Sequence, residues 1–432
     1  MALPDRADVA VVGAGSAGAA AAALCARQGL RVVCVDRRSL VDAGAHWVNG
    51  VPARDFDEAG FERPRGDELL GSGSKFHLIA GRGPRRITLE GHGVLEVDMR
   101  KLVDRLQREA REAGVELVGD VEVGGYRDGN LVTNRGSLNA DIVVDASGLA
   151  GPRLLGTPSV RPQDLCTAAQ QVREVSDWNA ACEFFARHQC ERGDVACFTA
   201  IAGGYSILNV RLHGDTVSIL TGSIPGPDRP SGQRILDDFV REQAWIGAKV
   251  FGGSRAIPIR RPFDRIAGDR VAAIGDAAAQ VFPAHGSGIG AGLIAAGYLA
   301  KAVAAGKRPH TYAFRWQRDK GGLFASFDLF RRFSSTLTAD QLAWMMDSGV
   351  MDPELARAGL AQEFPRPTPR NLAGKLPALS GHPRLASRMA TMVAKMIATR
   401  ALYARYPSRP ETLPAWSRRI ARVFGDPPDL PG

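Results

Sequence analysis

Residues 8–36, DVAVVGAGSAGAAAAALCARQGLRVVCVD, decide the fold of this chain. The run 8–13 is apolar and short, the pattern of a buried strand, and 30–36 repeats it. Between them an Ala-rich stretch of helical length closes at Gly29, so Gly13-Ala14-Gly15-Ser16-Ala17-Gly18 falls at a strand-to-helix turn inside a βαβ unit. Each glycine has a task. Gly13 permits the tight turn, Gly15 lets backbone approach a pyrophosphate, and Gly18 lets helix and strand pack closely. The helix N-terminus, opened by Ser16 and Ala17, faces the phosphate charge. Asp36 ends the second strand, where a carboxylate accepts ribose hydroxyls and disfavours a 2′-phosphate, so the nucleotide is FAD or NAD rather than NADP, with Arg37 beside it.

Working outward, the 432 residues are 45% hydrophobic and 23% charged, an ordinary globular composition that needs two or three subdomains. The six cysteines are scattered without a CxxC pair, and Cys182, His188, Cys190 and Cys197 fit no standard zinc spacing, so neither disulfides nor a metal is expected. The opening MALPDRAD carries Asp5 and Asp8 where a secretion signal needs positive charge, and the glycines at 13, 15 and 18 interrupt the one run of membrane-spanning length. A cytoplasmic location is expected, with peripheral membrane association as its variant.

A second motif separates FAD from NAD. In residues 269–306, DRVAAIGDAAAQVFPAHGSGIGAGLIAAGYLAKAVAAG, a strand delivers Gly275-Asp276, a loop passes Pro283, and glycines 286, 288 and 290 lead into a small-residue helix starting near Ile289. This pattern resembles the second FAD motif of the flavoprotein monooxygenase superfamily, and its spacing resembles the geranylgeranyl reductase-like branch. The resemblance implies that Asp276 binds the ribityl chain and that Gly286 to Gly290 bring backbone N–H groups and a helix N-terminus to the flavin pyrimidine edge. Such a terminus stabilises the negative charge of reduced flavin. The strand 139–148, NADIVVDASG, resembles a third superfamily element and places Gly148 at the cofactor.

Residues 47–52, WVNGVP, keep a Gly-Val pair where superfamily hydroxylases carry an Arg-Ala-Gly-Val segment, but lack both its arginine and the cysteine that geranylgeranyl reductases have nearby. The helix 97–110 holds Arg100 one position from the register of the family's FAD-contacting arginine, where Met99 falls. The resemblance also puts His285, before Gly286, beside the flavin ring as a candidate proton donor or acceptor, with His46 as a second candidate from the other flavin-facing segment.

The fold class that follows is α/β: a Rossmann-type FAD-binding domain (1–165 with 256–310), an inserted antiparallel-sheet substrate domain (166–255) and a helical C-terminal region (311–432). Alternating runs at 205–211 and 216–221 around His213-Gly214-Asp215 read as a hairpin, and 75–91 adds two strands to the same roof. Thr338 to Gln341 forms a capping box and Asp352-Pro353 a helix start, while Leu385, Met389, Met392, Met396 and Tyr403 form one apolar stripe.

Two enzymatic readings follow from the resemblance. One is hydride transfer at flavin N5, as a reductase or dehydrogenase acting on a small organic or lipid-like substrate. The other is a monooxygenase forming a C4a-peroxyflavin. A halogenase is disfavoured, since there is no WxWxIP segment and Lys75 sits in a predicted strand. A flavin-free prenyl-protein carrier is disfavoured by the retained Gly13, Gly15, Gly18, Asp36 and Asp276. No second strand-GxGxxG-helix unit occurs, so NAD(P)H is expected only as a transient reductant, with a partner reductase as the alternative. Residues 355–425 hold 13 Lys/Arg against 2 Asp/Glu, which suits an anionic or carrier-bound substrate or a membrane surface. No nucleic-acid module accompanies this charge, and nucleic acid is not expected.

Overall fold

The computed structural model describes residues 3–365, 375 and 377–430. Its first sheet is the dinucleotide sheet. β1 (Arg6–Val12) lies between β2 (Val32–Val35) and β11 (Gly136–Asp145), all parallel, with β8 (Glu116–Val118) beyond β2 and β17 (Val271–Ala273) beside β11. An antiparallel flap, β9 (Val123–Arg127) and β10 (Asn130–Thr133), extends the edge of β11.

Helix α1 (Ser16–Ala26) is packed on nearly every side, against α3 (Met99–Glu112) and α6 (Ile289–Ala304), and its residues Gly18 to Ala23 are all buried. Only small side chains allow this proximity. A Cβ on Gly18 would stand 1.8 Å from the Gly13 carbonyl oxygen. This is the physical content of an Ala-rich helix with no polar face.

The second sheet, also seven-stranded, forms the roof. Its order is β16 (Ile246–Pro258), β12 (Leu165–Val175), β15 (Thr216–Ser223), β14 (Ser206–His213), β13 (Val195–Thr199), β5 (Phe76–Ala80) and β6 (Arg86–Leu89). The hairpin β14–β15 pairs Ser206 with Ser223 and His213 with Thr216. The roof therefore draws on two separate stretches of chain, 76–89 and 165–258, joined by the parallel pair β5–β13. Helices α4 (Trp178–Arg187) and α5 (Gly232–Glu242) cover its outer face through Phe184, Phe185 and Phe239. A small sheet of β3 (Val48–Pro52), β7 (Val94–Asp98) and β4 (Leu69–Gly71) stands beside it, and α2 (Ala53–Ala59) follows β3 directly.

The C-terminal region contributes α7 (His310–Trp316), α8 (Gly322–Ser334), α9 (Ala339–Asp347), α10 (Pro353–Leu360), α11 (Pro383–Tyr403) and α12 (Leu413–Phe424). Thr338 and Gln341 form the reciprocal capping box of α9, and Asp352 accepts from the Leu355 N–H to start α10.

A buried ion network ties this region to both sheets. Arg260 pairs with Asp429 at 2.7 Å, Arg331 with Asp164 at 2.8 Å, and Arg332 and Arg161 both with Asp426, at 2.7 and 2.8 Å. Arg261, fully buried, pairs with Asp264. No helix among the described residues is long and apolar enough to cross a membrane.

Candidate functional site

The Gly13 turn and the N-terminus of α1 open one end of a cleft. Gly13 adopts φ +106°, where a Cβ would meet the Ala146 carbonyl oxygen at 2.4 Å. Helix α1 begins at Gly15 with no side-chain cap, which leaves its first N–H groups to an anion. Asp36 accepts the Ala14 N–H at 2.8 Å and the Arg38 N–H at 2.9 Å. It thus stiffens the turn, and an ionised carboxylate retains further acceptor sites for ribose hydroxyls. Arg37 lies at the surface and reaches the Ala150 carbonyl at 3.4 Å. Gly148, at φ +79°, closes the DASG turn, which Asp145 holds by accepting from Ser147 and from the Leu154 N–H.

The other end is built by the loop from Gly275 to Gly288. Gly275 (φ +65°) lies against Ala17, and Gln280 pins the loop by accepting the Gly275 N–H at 2.8 Å while donating to Tyr312. Pro283 is buried, Gly286 takes φ +74°, and Gly288 begins α6 at Ile289 without a side-chain cap. Ser287 donates to the Gly50 carbonyl at 3.3 Å, joining this loop to β3. Burial pushes the Asp276 carboxyl up, opposed by Arg255, and among the described residues no protein group donates to that carboxyl. A half-buried acceptor without a protein donor suits ribityl hydroxyls. The bare helix starts, the Cβ-free approach at Gly15 and the unmatched Asp276 together fit FAD, which Gly15 to Gly18, Asp36, Asp276 and Gly286 to Ile289 would hold.

Two arginines near the cleft have different partners. Arg100 is committed elsewhere: it pairs with Asp98 at 2.6 Å and stacks 3.5 Å from the Phe251 ring centre. Asp98 caps α3, so the arginine is held at its own helix start instead of standing free for the cofactor. Arg255, on β16, is the one at the cleft. It donates to the carbonyl of Gly44, whose Cα would lie 3.3 Å from a Cβ on Gly15. Burial and the nearby Arg38 lower its pKa, while Asp276, and more weakly Asp36, favour its charge. No local motif marks Arg255. It lies on a strand of the roof, and only the sheet's fold brings it to the dinucleotide turn.

Beyond the flavin-facing loop opens a cavity of about 350 Å³. Trp47, Gly50, His285, Gly286 and Ser287 line its inner end with Phe327 near them, its ring 4.6 Å from that of Phe282; roof strands form one wall, and Phe330, Phe333, Leu337, Leu342 and Met345 line the rest. Gln170, Asn209, Glu96 and Arg211 give it a few polar points. His285 is at this wall with its Nε2 buried and unpartnered, its ring 4.9 Å from that of Phe282. Burial lowers its pKa to about 4, so at neutral pH it is an uncharged imidazole. The ordinary histidine value that made it attractive in the sequence is not the one the fold provides. His46 is half-buried and is not among the residues lining the cavity; its neighbour Trp47 is.

Two polar residues beside this site carry no sequence signal. Gln170, buried on β12, binds the backbone of Val48. Asp55, buried on α2, lies against the first turn of α6, where its carboxylate fills the space that a Cβ on Gly290 would need.

Residues 6–120 match the family model of the FAD binding domain. The chain is 24% identical to the digeranylgeranylglycerophospholipid reductase of Sulfolobus acidocaldarius, over 96% of this chain and 97% of that protein. It is 30% identical to digeranylgeranylglycerophospholipid reductase 1 of Methanopyrus kandleri, over 66% of this chain and 77% of the relative. Among solved structures, a geranylgeranyl bacteriochlorophyll reductase-like protein from Thermoplasma acidophilum superposes with a TM-score of 0.68 at 16% identity, covering 90% of this chain and 99% of that one. With the two FAD motifs on one cleft and relatives that match along the chain, this protein is an FAD-dependent oxidoreductase and belongs to the geranylgeranyl reductase-like branch of the flavoprotein superfamily.

Proposed function

We propose that the enzyme reduces carbon–carbon double bonds in an isoprenoid chain, by hydride transfer from flavin N5 and delivery of one proton to the neighbouring carbon. The observation that carries this reading is the cavity: it begins at His285 and Gly286 and runs between the roof and the phenylalanines of α8, an apolar passage suited to a long hydrocarbon. The curated relatives named above are reductases of digeranylgeranylglycerophospholipids, which supports the same substrate class. The oxygen-using alternative is not favoured.

Reduced flavin supplies the hydride. The protein's part is to hold the chain, exclude water and manage the proton. Trp47, Phe327 and Phe333 present apolar surface to the chain, and removing water there strengthens each polar contact. The neutral His285 ring at the cavity wall relays the proton, one nitrogen giving it to the carbon as the other takes one from solvent, while the hydride arrives at the other end of the double bond. One hydride and one proton together complete the saturated bond. NAD(P)H, bound transiently, or a partner reductase would supply the electrons.

The test is anaerobic. The photoreduced enzyme is mixed with geranylgeranyl-glycerophospholipid, and flavin absorbance and product mass are followed. Flavin reoxidation without oxygen, with two hydrogens gained per double bond, is expected. Reoxidation that requires oxygen would overturn the proposal.

A further inference from the structure

Helix α11 carries two apolar stripes, and the protein itself uses one. Leu385, Met389, Met392, Met396 and Tyr403, the stripe evident in the sequence, turn inward, onto Phe333 and Met345 near the N-terminal end and onto Tyr406 and Trp416 near the other. The opposite face is also free of charge. At the helical repeat, Ala390, Val393, Ala394, Ile397 and Ala401 fall within about a third of the circumference. All five are exposed, Val393 to 47% and Ile397 to 65%. A helix lying on its own protein normally turns charge outward. Here Arg400 borders the stripe on one side, and Arg384 and Lys395 stand beyond its other edge. Residues 364–410 contain no Asp or Glu at all.

We propose that this face of α11 docks the enzyme on an anionic lipid bilayer, with Val393 and Ile397 at the acyl boundary and the surrounding Arg and Lys at the phosphates. Charge selects this occupant. A second copy of the chain would set one acid-free, basic helix against another, and like charges oppose that pairing. An anionic membrane surface meets both the apolar stripe and its basic border. The position fits as well. Leu385 shares a core cluster with Phe333, Leu337 and Met345, the far wall of the cavity, and Arg388 stacks 5.5 Å from the Phe333 ring centre. The docked face is thus about one helix diameter, roughly 10 Å, from the apolar end of the cavity. This inference rests on α11 and its charge, independently of the reaction proposed above.

The test is flotation of the FAD-loaded enzyme with phosphatidylglycerol-rich vesicles and with pure phosphatidylcholine vesicles. Binding to the anionic vesicles at low salt, with loss at high salt, is expected. The pairs Val393→Asp with Ile397→Asp, and Lys395→Glu with Arg400→Glu, should each lower partitioning at least about tenfold. FAD content should stay unchanged in both pairs, and the thermal midpoint in the Val393/Ile397 pair, whose positions are exposed; Arg400 also stacks 4.0 Å from the Phe364 ring centre, so its reversal lowers the midpoint slightly. Ile397→Trp should shift its fluorescence to the blue on anionic vesicles and be quenched by brominated lipid. Wild-type protein that does not float, or an aspartate pair that floats like wild type, overturns the proposal. So does light scattering that shows a dimer which the aspartate pair dissociates.

Discussion

Gln170 grips both polar groups of Val48: its Nε2 donates to the Val48 carbonyl at 2.9 Å and its Oε1 accepts the Val48 N–H. One side chain of the roof thereby takes the place of a neighbouring strand for the segment that lines the inner end of the cavity. Gln170→Leu would leave both backbone groups unmatched in a buried place, at about 1–3 kcal/mol each. We expect a lower thermal midpoint and partial loss of FAD on gel filtration, with Gln170→Glu intermediate because it keeps the acceptor. A Leu variant with unchanged midpoint and flavin content would show that β3 needs no such support.

Arg255 is expected to bind the FAD pyrophosphate. A hydrogen bond to a charged group contributes about 1.5–3 kcal/mol, so Arg255→Leu should weaken FAD binding by roughly 10- to 100-fold, and Arg255→Lys by less. Titrating apoprotein with FAD and following flavin fluorescence measures this directly. Arg100→Leu should affect affinity much less, because that guanidinium already serves Asp98 and Phe251.

Asp55 makes stability depend on pH. Burial raises its pKa to about 6, partly offset by Arg54 and Lys320. The folded state therefore holds this proton more tightly than the unfolded chain, and the stability so gained is full below about pH 4 and lost as pH rises to about 6. Asp55→Asn removes the ionised form. It should raise stability by about 2–3 kcal/mol at pH 8 and by little at pH 4, read from urea unfolding at the two pH values.

His285→Gln should leave FAD content intact and slow flavin reoxidation by substrate, in anaerobic stopped flow, by about 10²-fold or more. In the wild type, a pKa near 4 means that this ring does not titrate between pH 5.5 and 7.5. An inflection near 6.5 that disappears in the variant would contradict the buried environment described for it.

Asp429→Ala leaves Arg260 buried without its carboxylate partner, and weakens the field around Arg261. Breaking a buried pair on one side costs about 3–5 kcal/mol. A marked fall in the midpoint of unfolding should follow, whereas Arg6→Ala, at an exposed pair with Asp141, should change it by under about 1 kcal/mol.

What the sequence made legible were the features whose chemistry is local. The Gly13 to Gly18 turn and Asp36 encode backbone geometry at fixed spacing within one βαβ unit, and the loop from Gly275 to Ile289 is marked by its resemblance to a flavoprotein motif. Arg255, Gln170 and Asp55 are single polar residues whose roles exist only after the roof and α2 reach the cleft. Arg100 lies one step of register from Met99, and one step on a helix turns a side chain by about 100°. The outer stripe of α11 was hidden by alanine, which reads as helix propensity before it reads as surface.

The aspartates at 426 and 429 also bear on how the chain is made. Arg260 and Asp429 are 169 residues apart, and Arg161 and Asp426 are 265 apart. At about 5–20 residues per second, a ribosome needs roughly 10–30 s to travel from Arg260 to its counter-ion. Throughout that interval Arg260 has no carboxylate to enter the interior with, whereas Arg161 already has Asp164 and Arg261 has Asp264. Burial of Arg260 with its charge matched therefore depends on residues that are among the last to be made.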